Sequence, residues 1–371
     1  LKGEDKMGET GLRSVYQDIP IIDCHAHIMG GIDGINKLIK TMQSFNFETM
    51  NVLSVSGAGD ASQNFNCALY KAINPGKAYA FGGLVHPRPD TGEEKLSYYE
   101  QAKALLEMGF DGIKMIEGKP SVAKELKKPL NHPDYDKFYE LLESEGTPIL
   151  FHVADPETFW DEKAIPEWAK AAGWFYGDGT YPGKEDLYAQ IEDILSRFPR
   201  LNAIFAHFYF MSADMDRAIE FLEKWPSVKF DITPGIEMYE NFSKGPVKWR
   251  EFFIKYQDRI LFGTDSYDAN DPTDRENINI TVNVVRGFLE TDRVRGWDKM
   301  YNGISLGRSE LENIYYKNFQ RYVGCEPKRL NAECAIEYCE IMIRFAQDGL
   351  IGNGTIGRMH EALKVLKDMV K

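Results

Sequence analysis

Of the seven histidines in the chain, His25 and His27 flank one alanine in Asp23-Cys24-His25-Ala26-His27, His152 follows Leu150-Phe151, and His207 follows Ile204-Phe205-Ala206. A carboxylate, Asp265, closes Gly263-Thr264-Asp265. Side chains two residues apart on an extended strand point to one side, so His25 and His27 can bring two ring nitrogens to a single ion. A further imidazole and a carboxylate from neighbouring strand ends complete the mixed nitrogen and oxygen shell that Zn²⁺ or a similar divalent ion accepts, with a position left for water. Each residue alone has a plainer explanation. A lone histidine among apolar neighbours is more often a hydrogen-bonded core residue than a ligand, and an aspartate after Gly-Thr serves well as a helix cap. The argument for a site is the recurrence of these types at the ends of four separate apolar runs.

The elements that must carry them are short β-branched and aromatic runs at 19–28, 49–56, 79–86, 112–116, 148–153, 203–208, 228–232 and 260–264. Each reads as a continuously apolar, buried strand of a parallel sheet. Amphipathic segments such as 96–108, 135–145, 185–198 and 215–225 lie between them, with Gly or Pro near several ends. Strand then helix, eight times, predicts an α/β protein with a (β/α)8 TIM barrel, whose active site sits at the C-terminal ends of the strands. The four histidines and Asp265 fall there. A doubly wound sheet would instead place a glycine-rich phosphate turn after its first strand, where this chain has histidines. The segment 154–184, with Phe159, Trp160, Trp168, Trp174, Phe175, Tyr176 and Tyr181, is expected to hang over the barrel mouth as a lid, although such aromatics also serve simply to pack a loop onto the rim. Residues 266–302 are a second segment able to shape the mouth. The domain reading is an N-terminal extension at 1–18, a barrel at 19–324, and a C-terminal extension at 325–371 whose helices, 330–347 and 356–371, lie outside the barrel.

Composition excludes several classes. With 44 Lys+Arg against 57 Asp+Glu and a net charge of −13, the chain is too acidic for a nucleic-acid partner. An apolar content of 43% rules out disorder, and no run approaches the ~20 apolar residues of a membrane helix, so a soluble protein without a membrane partner is expected. Five cysteines, Cys24, Cys67, Cys325, Cys334 and Cys339, are scattered without a CxxC pair. That favours a reducing cytoplasm, and residues 1–20 lack the apolar centre of a secretory signal.

The sequence resembles the amidohydrolase superfamily, in particular the amidohydrolase-related branch that includes the aminocarboxymuconate-semialdehyde decarboxylase-like enzymes. The resemblance rests on Ile21-Ile22-Asp23-Cys24-His25-Ala26-His27, Leu150-Phe151-His152-Val153-Ala154-Asp155-Pro156, Ile204-Phe205-Ala206-His207, Arg259-Ile260-Leu261-Phe262-Gly263-Thr264-Asp265 and Asn313-Ile314-Tyr315-Tyr316-Lys317-Asn318-Phe319, and so covers residues 20–324. It implies a TIM barrel of the metal-dependent hydrolase type with one divalent ion at its mouth, zinc first and manganese, iron or nickel as alternatives. It further implies His25, His27 and His152 as metal ligands, Asp265 as a ligand or the proton acceptor for bound water, and His207 as a catalytic contact to water or substrate. Lys114, in Gly112-Ile113-Lys114-Met115-Ile116, lies where two-metal relatives carry a carboxylated lysine. Carboxylated, it would recruit a second ion. As an ordinary ammonium it would repel one and bind a substrate carboxylate, and a purely structural pairing with an acid such as Glu117 is the third reading. By alternation, Glu117 falls on the opposite face from Lys114. His86 and Arg88 are further substrate-binding candidates, whereas His132 and His360 read as structural or exposed.

The expected function is therefore metal-dependent hydrolysis of an amide, ester or lactone bond in a small carbonyl- or carboxyl-containing compound, using a metal-activated water. The alternative is non-oxidative decarboxylation of an aromatic or dienoic acid on the same site. A second alternative is a non-catalytic barrel that keeps its metal as a structural staple. The expected partner is a small-molecule substrate, and a homodimer is expected if the C-terminal helices form a contact rather than closing the barrel bottom.

Overall fold

The computed structural model describes residues 14–56, 60–87, 97–235 and 237–370. Most of the N-terminal extension and Arg88 lie outside the described residues. Eight strands pair in chain order, every neighbour parallel: β1 (Ile22–Ala26), β2 (Thr49–Leu53), β3 (Ala78–Gly83), β4 (Gly112–Gly118), β5 (Ile149–Val153), β6 (Ala203–Phe205), β7 (Val228–Asp231) and β8 (Ile260–Leu261). The circle closes because the segment after β8 runs beside β1. The Cys24 amide donates to Phe262 O (3.0 Å), the Asp265 amide to His25 O (2.9 Å) and the His27 amide to Ser266 O (2.8 Å). This is the TIM barrel that the strand count predicts.

Inside the barrel, Ile22, Cys24, Leu53, Phe81, Leu150, Ile204 and Leu261 pack together, with Phe319 below them. Strand residues of the other parity, among them Met50, Val52, Ile113, Phe151, Phe205 and Phe230, pack outward with the helices. This division fills the barrel with side chains, as expected of eight strands.

Pleat alternation by itself would misplace the histidines. With Ile22 and Cys24 inside, His25 and His27 would face the helices. Between the pairs Asp23–Met50 and Ala26–Val52, however, β1 carries one residue more than β2. That bulge turns His25 inward after Cys24, returns Ala26 to the outer shell, and brings His27 inward again. Asp23 holds the bulge: its carboxylate accepts from the His25 amide (3.1 Å) and from the Thr264 amide and hydroxyl (3.1 and 2.5 Å). A second bulge lies in β4 between Met115 and Gly118, opposite Phe151 and Val153.

The runs at 203–208 and 260–264 overstate two strands. β6 stops at Phe205 and β8 at Leu261, and both segments go on to turn left-handed. Asp265 has φ 58°, and His207, Phe208, Tyr209 and Phe210 have φ 56°, 55°, 54° and 49° in succession. Four consecutive left-handed residues without a glycine are costly for L-amino acids, on the order of 1–2 kcal/mol each. The turn is held by burial of all four side chains and by aromatic contacts such as Phe208 with Phe230 (4.8 Å between ring centres).

The expected lid, 154–184, contains a short helix, Glu167–Ala171, and its aromatics pack largely on each other. Phe159 lies 6.0, 6.3 and 6.2 Å from Trp168, Trp174 and Tyr176. The segment 266–302 forms the helix Pro272–Glu290 and a hairpin, β9 (Arg293–Arg295) with β10 (Met300–Asn302). The C-terminal helices are Ala332–Gln347 and Ile356–Val370. They pack on each other and on the side helix Ser62–Ile73, where the amide of Asn64 bonds Tyr338 OH (2.8 Å) and, through both its ends, the Gly83 backbone (2.8 Å each). Among the described residues no helix is long and apolar enough to cross a membrane.

Candidate metal centre

Three of the histidines have one ring nitrogen committed to a fixed acceptor. His25 Nδ1 lies 2.8 Å from Asp231 Oδ2, His27 Nδ1 lies 3.0 Å from Leu53 O, and His207 Nδ1 lies 3.2 Å from Thr233 O. A carbonyl or a carboxylate can only accept, so each Nδ1 carries the hydrogen, and in a neutral ring Nε2 then keeps its lone pair. Those pairs converge with Asp265. Asp265 Oδ1 is 3.1 Å from His27 Nε2 and 3.6 Å from His25 Nε2, and one donor atom each from His25, His207 and Asp265 lie within 4.8 Å of one another. An Nε2 lone pair and a carboxylate oxygen at 3.1 Å repel unless a cation lies with them. The arrangement fits a divalent ion: mixed nitrogen and oxygen donors, with hydrogen-bonded partners behind the imidazoles that fix their orientation.

Electrostatics favours the same protonation states. Burial, aided by the nearby Lys114 ammonium, lowers His25 to about 4, and burial likewise lowers His207. Both are therefore neutral at pH 7 and able to ligate. Burial raises the Asp265 carboxyl, but the neighbouring His27, His25 and His207 together hold it well below the usual carboxylate range. Its side chain is 42% exposed, so the cluster opens to solvent on the acid's side.

The other expected residues are distributed less simply. His152 lies near the cluster, its ring centre 5.0 Å from that of His207, but it is not one of the three grouped donors; its Nε2 faces Asp155 Oδ1 at 3.3 Å. Burial lowers His152 to about 3. Asp155 also takes Lys119 Nζ (2.9 Å) and Tyr176 OH (2.7 Å), which ties the aromatic segment to the ends of β4 and β5. Phe210 forms a wall beside both His207 (5.1 Å) and His152 (5.6 Å). Lys114 sits level with Leu150, one inward position below His152. It is buried, its Nζ has no hydrogen-bond partner among the described residues, and burial lowers it to about 8 against the pull of Asp231 and Asp265. Glu117 does not pair with it. Instead Glu117 Oε1 bonds His86 Nε2 (2.7 Å), while Tyr98 OH takes His86 Nδ1 (3.0 Å). Both ring nitrogens of His86 are thus used inside the fold, which leaves none for the substrate contact expected of it.

One residue is absent from the sequence reading. Asp231, wholly buried at the end of β7, binds His25 through Oδ2 and the amides of His207 (2.8 Å) and Thr233 (3.1 Å) through Oδ1. Its signal was available: an acid stands next to last in the seventh apolar run, as Asp265 follows the eighth.

A family model described as Amidohydrolase matches residues 22–279. No curated protein matches the chain. Among solved structures, an uncharacterized TIM-barrel protein from Bordetella bronchiseptica is similar with a TM-score of 0.51 at 13% identity, over 82% of this chain and 98% of that one. An apo-form IDCase from Metarhizium anisopliae is similar with a TM-score of 0.50 at 13% identity, over 82% of this chain and 97% of that one. A 2,6-dihydroxybenzoate decarboxylase complexed with 2,6-dihydroxybenzoate gives 0.49 at 15% identity, over 82% and 99%. At such identities the first two show a shared barrel and no more.

Proposed function

The chain belongs to the amidohydrolase family, and from that premise we propose that it is a metal-dependent hydrolase that cleaves an amide, ester or lactone bond in a small carbonyl- or carboxyl-containing compound. The observation that carries this reading is the convergence of Nε2 lone pairs on a half-exposed carboxylate, with the opposite ring nitrogens tied down. His25, His207 and Asp265 would hold the ion, with His27 Nε2 beside them. Zinc suits these donors best, and manganese, iron and nickel are compatible. When bound, such an ion supplies a Lewis acid and lowers the pKa of water.

The chain's own groups supply the rest. Asp265 is ionised and partly exposed, so it accepts a proton from the attacking water and returns it to the leaving group. Lys114 contributes positive charge and has no bonded partner among the described residues, which suits a substrate carboxylate or a developing oxyanion. Phe210 and the clamp of Asp155, Lys119 and Tyr176 border the mouth and restrict water. The unpartnered Lys114 also favours a second reading, decarboxylation, in which that ammonium would hold the carboxylate of an aromatic or dienoic acid.

Metal content of the wild type and of His25→Ala tests the shared premise: stoichiometric metal in the first and its loss in the second are expected, and a wild type without metal rejects both enzyme readings. Turnover in ¹⁸O-labelled water separates them. Label in the product supports hydrolysis, whereas release of CO₂ without label rejects it. Asp265→Asn should keep the fold and lose about 10²–10⁴-fold in turnover, and near-normal turnover would contradict its role.

A further inference from the structure

We propose that Asp231 is a positioning residue that orients two candidate ligands at once, setting the tautomer of His25 and pinning the left-handed turn that presents His207. This rests on the metal-site reading of the cluster. Asp231 is completely buried, and its two oxygens divide the work. Oδ2 lies 2.8 Å from His25 Nδ1. Oδ1 accepts from the His207 amide at 2.8 Å and from the Thr233 amide at 3.1 Å. The His207 amide opens the run of four positive-φ residues, so the carboxylate anchors the strained turn at its first N–H. Thr233, held by the same oxygen, presents the carbonyl that takes His207 Nδ1 at 3.2 Å. One buried carboxylate therefore fixes which nitrogen of His25 faces the cluster and, through the backbone, which nitrogen of His207 does. Sequence places these groups far apart: His25 and Asp231 are separated by 206 positions.

Asp231→Asn separates orientation from bulk. The variant side chain has nearly the same shape, and its oxygen can still accept from the amides of His207 and Thr233. Its NH₂ then faces His25 Nδ1 and, being a donor only, requires that nitrogen to accept. The ring hydrogen must move to Nε2, the nitrogen that faces Asp265. The test is the His25 tautomer in metal-free protein labelled with ¹⁵N-histidine, read by long-range ¹H–¹⁵N correlation at neutral pH and assigned by the loss of its signals in His25→Gln. Wild type should show Nδ1–H, and Asp231→Asn should show Nε2–H. Wild-type His25 protonated on Nε2 alone overturns the proposal whether or not the variant folds, as does an unchanged tautomer in a folded Asp231→Asn. A competition titration with Zn²⁺ gives the second readout. The variant should bind about 10- to 100-fold more weakly, and equal affinity overturns the orienting role. If wild type binds no Zn²⁺, the metal-site reading fails by itself, and the tautomer still decides what Asp231 does.

Discussion

Replacing Lys229 with methionine should stabilise the protein by an amount that depends on pH in a defined direction. Lys229 is 4% exposed within β7. Its Nζ donates to Asn202 Oδ1 and Ser227 O, 2.7 Å each, and lies 4.1 Å from the centre of the Tyr322 ring. Among the described residues no carboxylate is hydrogen-bonded to it. Burial, reinforced by the Arg259 guanidinium, lowers it to about 7, whereas a lysine in the unfolded chain titrates near ~10.4. Below pH 7 both states carry the proton, and the cost of the buried charge is present in full. Between there and about pH 10 the unfolded chain holds a proton that the folded protein lacks, so this residue makes stability rise with pH. At about 1.4 kcal/mol per pH unit, the whole window is worth roughly 4 kcal/mol. Lys229→Met removes the charge and keeps the length. Its stability advantage over wild type should be greatest below pH 7 and shrink by roughly that amount towards pH 10. Urea unfolding of both proteins, followed by circular dichroism at several pH values across the window, measures the difference directly and cancels groups the two chains share. Parallel pH profiles would refute the reasoning, since they would mean that Lys229 keeps its proton in the fold or titrates alike in both states.

Two further substitutions probe the supports of the site. In Gly263→Ala the new methyl would lie 2.3 Å from Thr233 Oγ1 and 3.2 Å from both Cys24 Sγ and His25 Cβ, so overpacking should cost about 1–3 kcal/mol in urea unfolding and weaken Zn²⁺ binding by shifting His25; a variant equal to wild type in both would contradict the close packing behind His25. Tyr338→Phe removes one hydrogen bond to Asn64 and should cost about 1 kcal/mol, whereas Asn64→Ala also strips the Gly83 backbone of both its bonds and should cost about 3 kcal/mol; equal losses would show that the C-terminal helices, rather than the end of β3, depend on Asn64.

Much of the fold was legible because a parallel barrel requires little beyond its strand runs. Eight apolar runs in alternation with amphipathic segments specify eight parallel neighbours, and the C-terminal ends of those runs specify one mouth. The residue types of the candidate site were legible for a related reason: imidazoles and carboxylates, the groups a divalent ion would require, recur where apolar runs stop. The side helices at the C-terminus were legible as helices, but not where they dock, because their apolar faces name no partner. That Tyr338 meets Asn64, 274 positions away, is a property of packing rather than of local pattern.

What the pattern could not supply is aim, and aim is what divides a metal site from a group of core histidines. The inference that His25 and His27 share a face is right for a pleated strand, yet with Cys24 inside, the pleat alone would point both away from the mouth. One additional residue in β1 reverses this, and nothing in Asp23-Cys24-His25-Ala26-His27 marks it, since the bulge is held by Thr264, 241 positions along the chain. His207 is misread in a similar way. Its run looks like strand through residue 208, but the chain leaves the sheet after Phe205 through a left-handed turn that no glycine announces. A local sequence preference would have selected against that turn, so its cost must be met by long-range partners, the buried aromatics on one side and the Asp231 carboxylate on the other. Strain concentrated where imidazoles and a carboxylate meet is what would be expected of a binding site, at which geometry matters more than local stability.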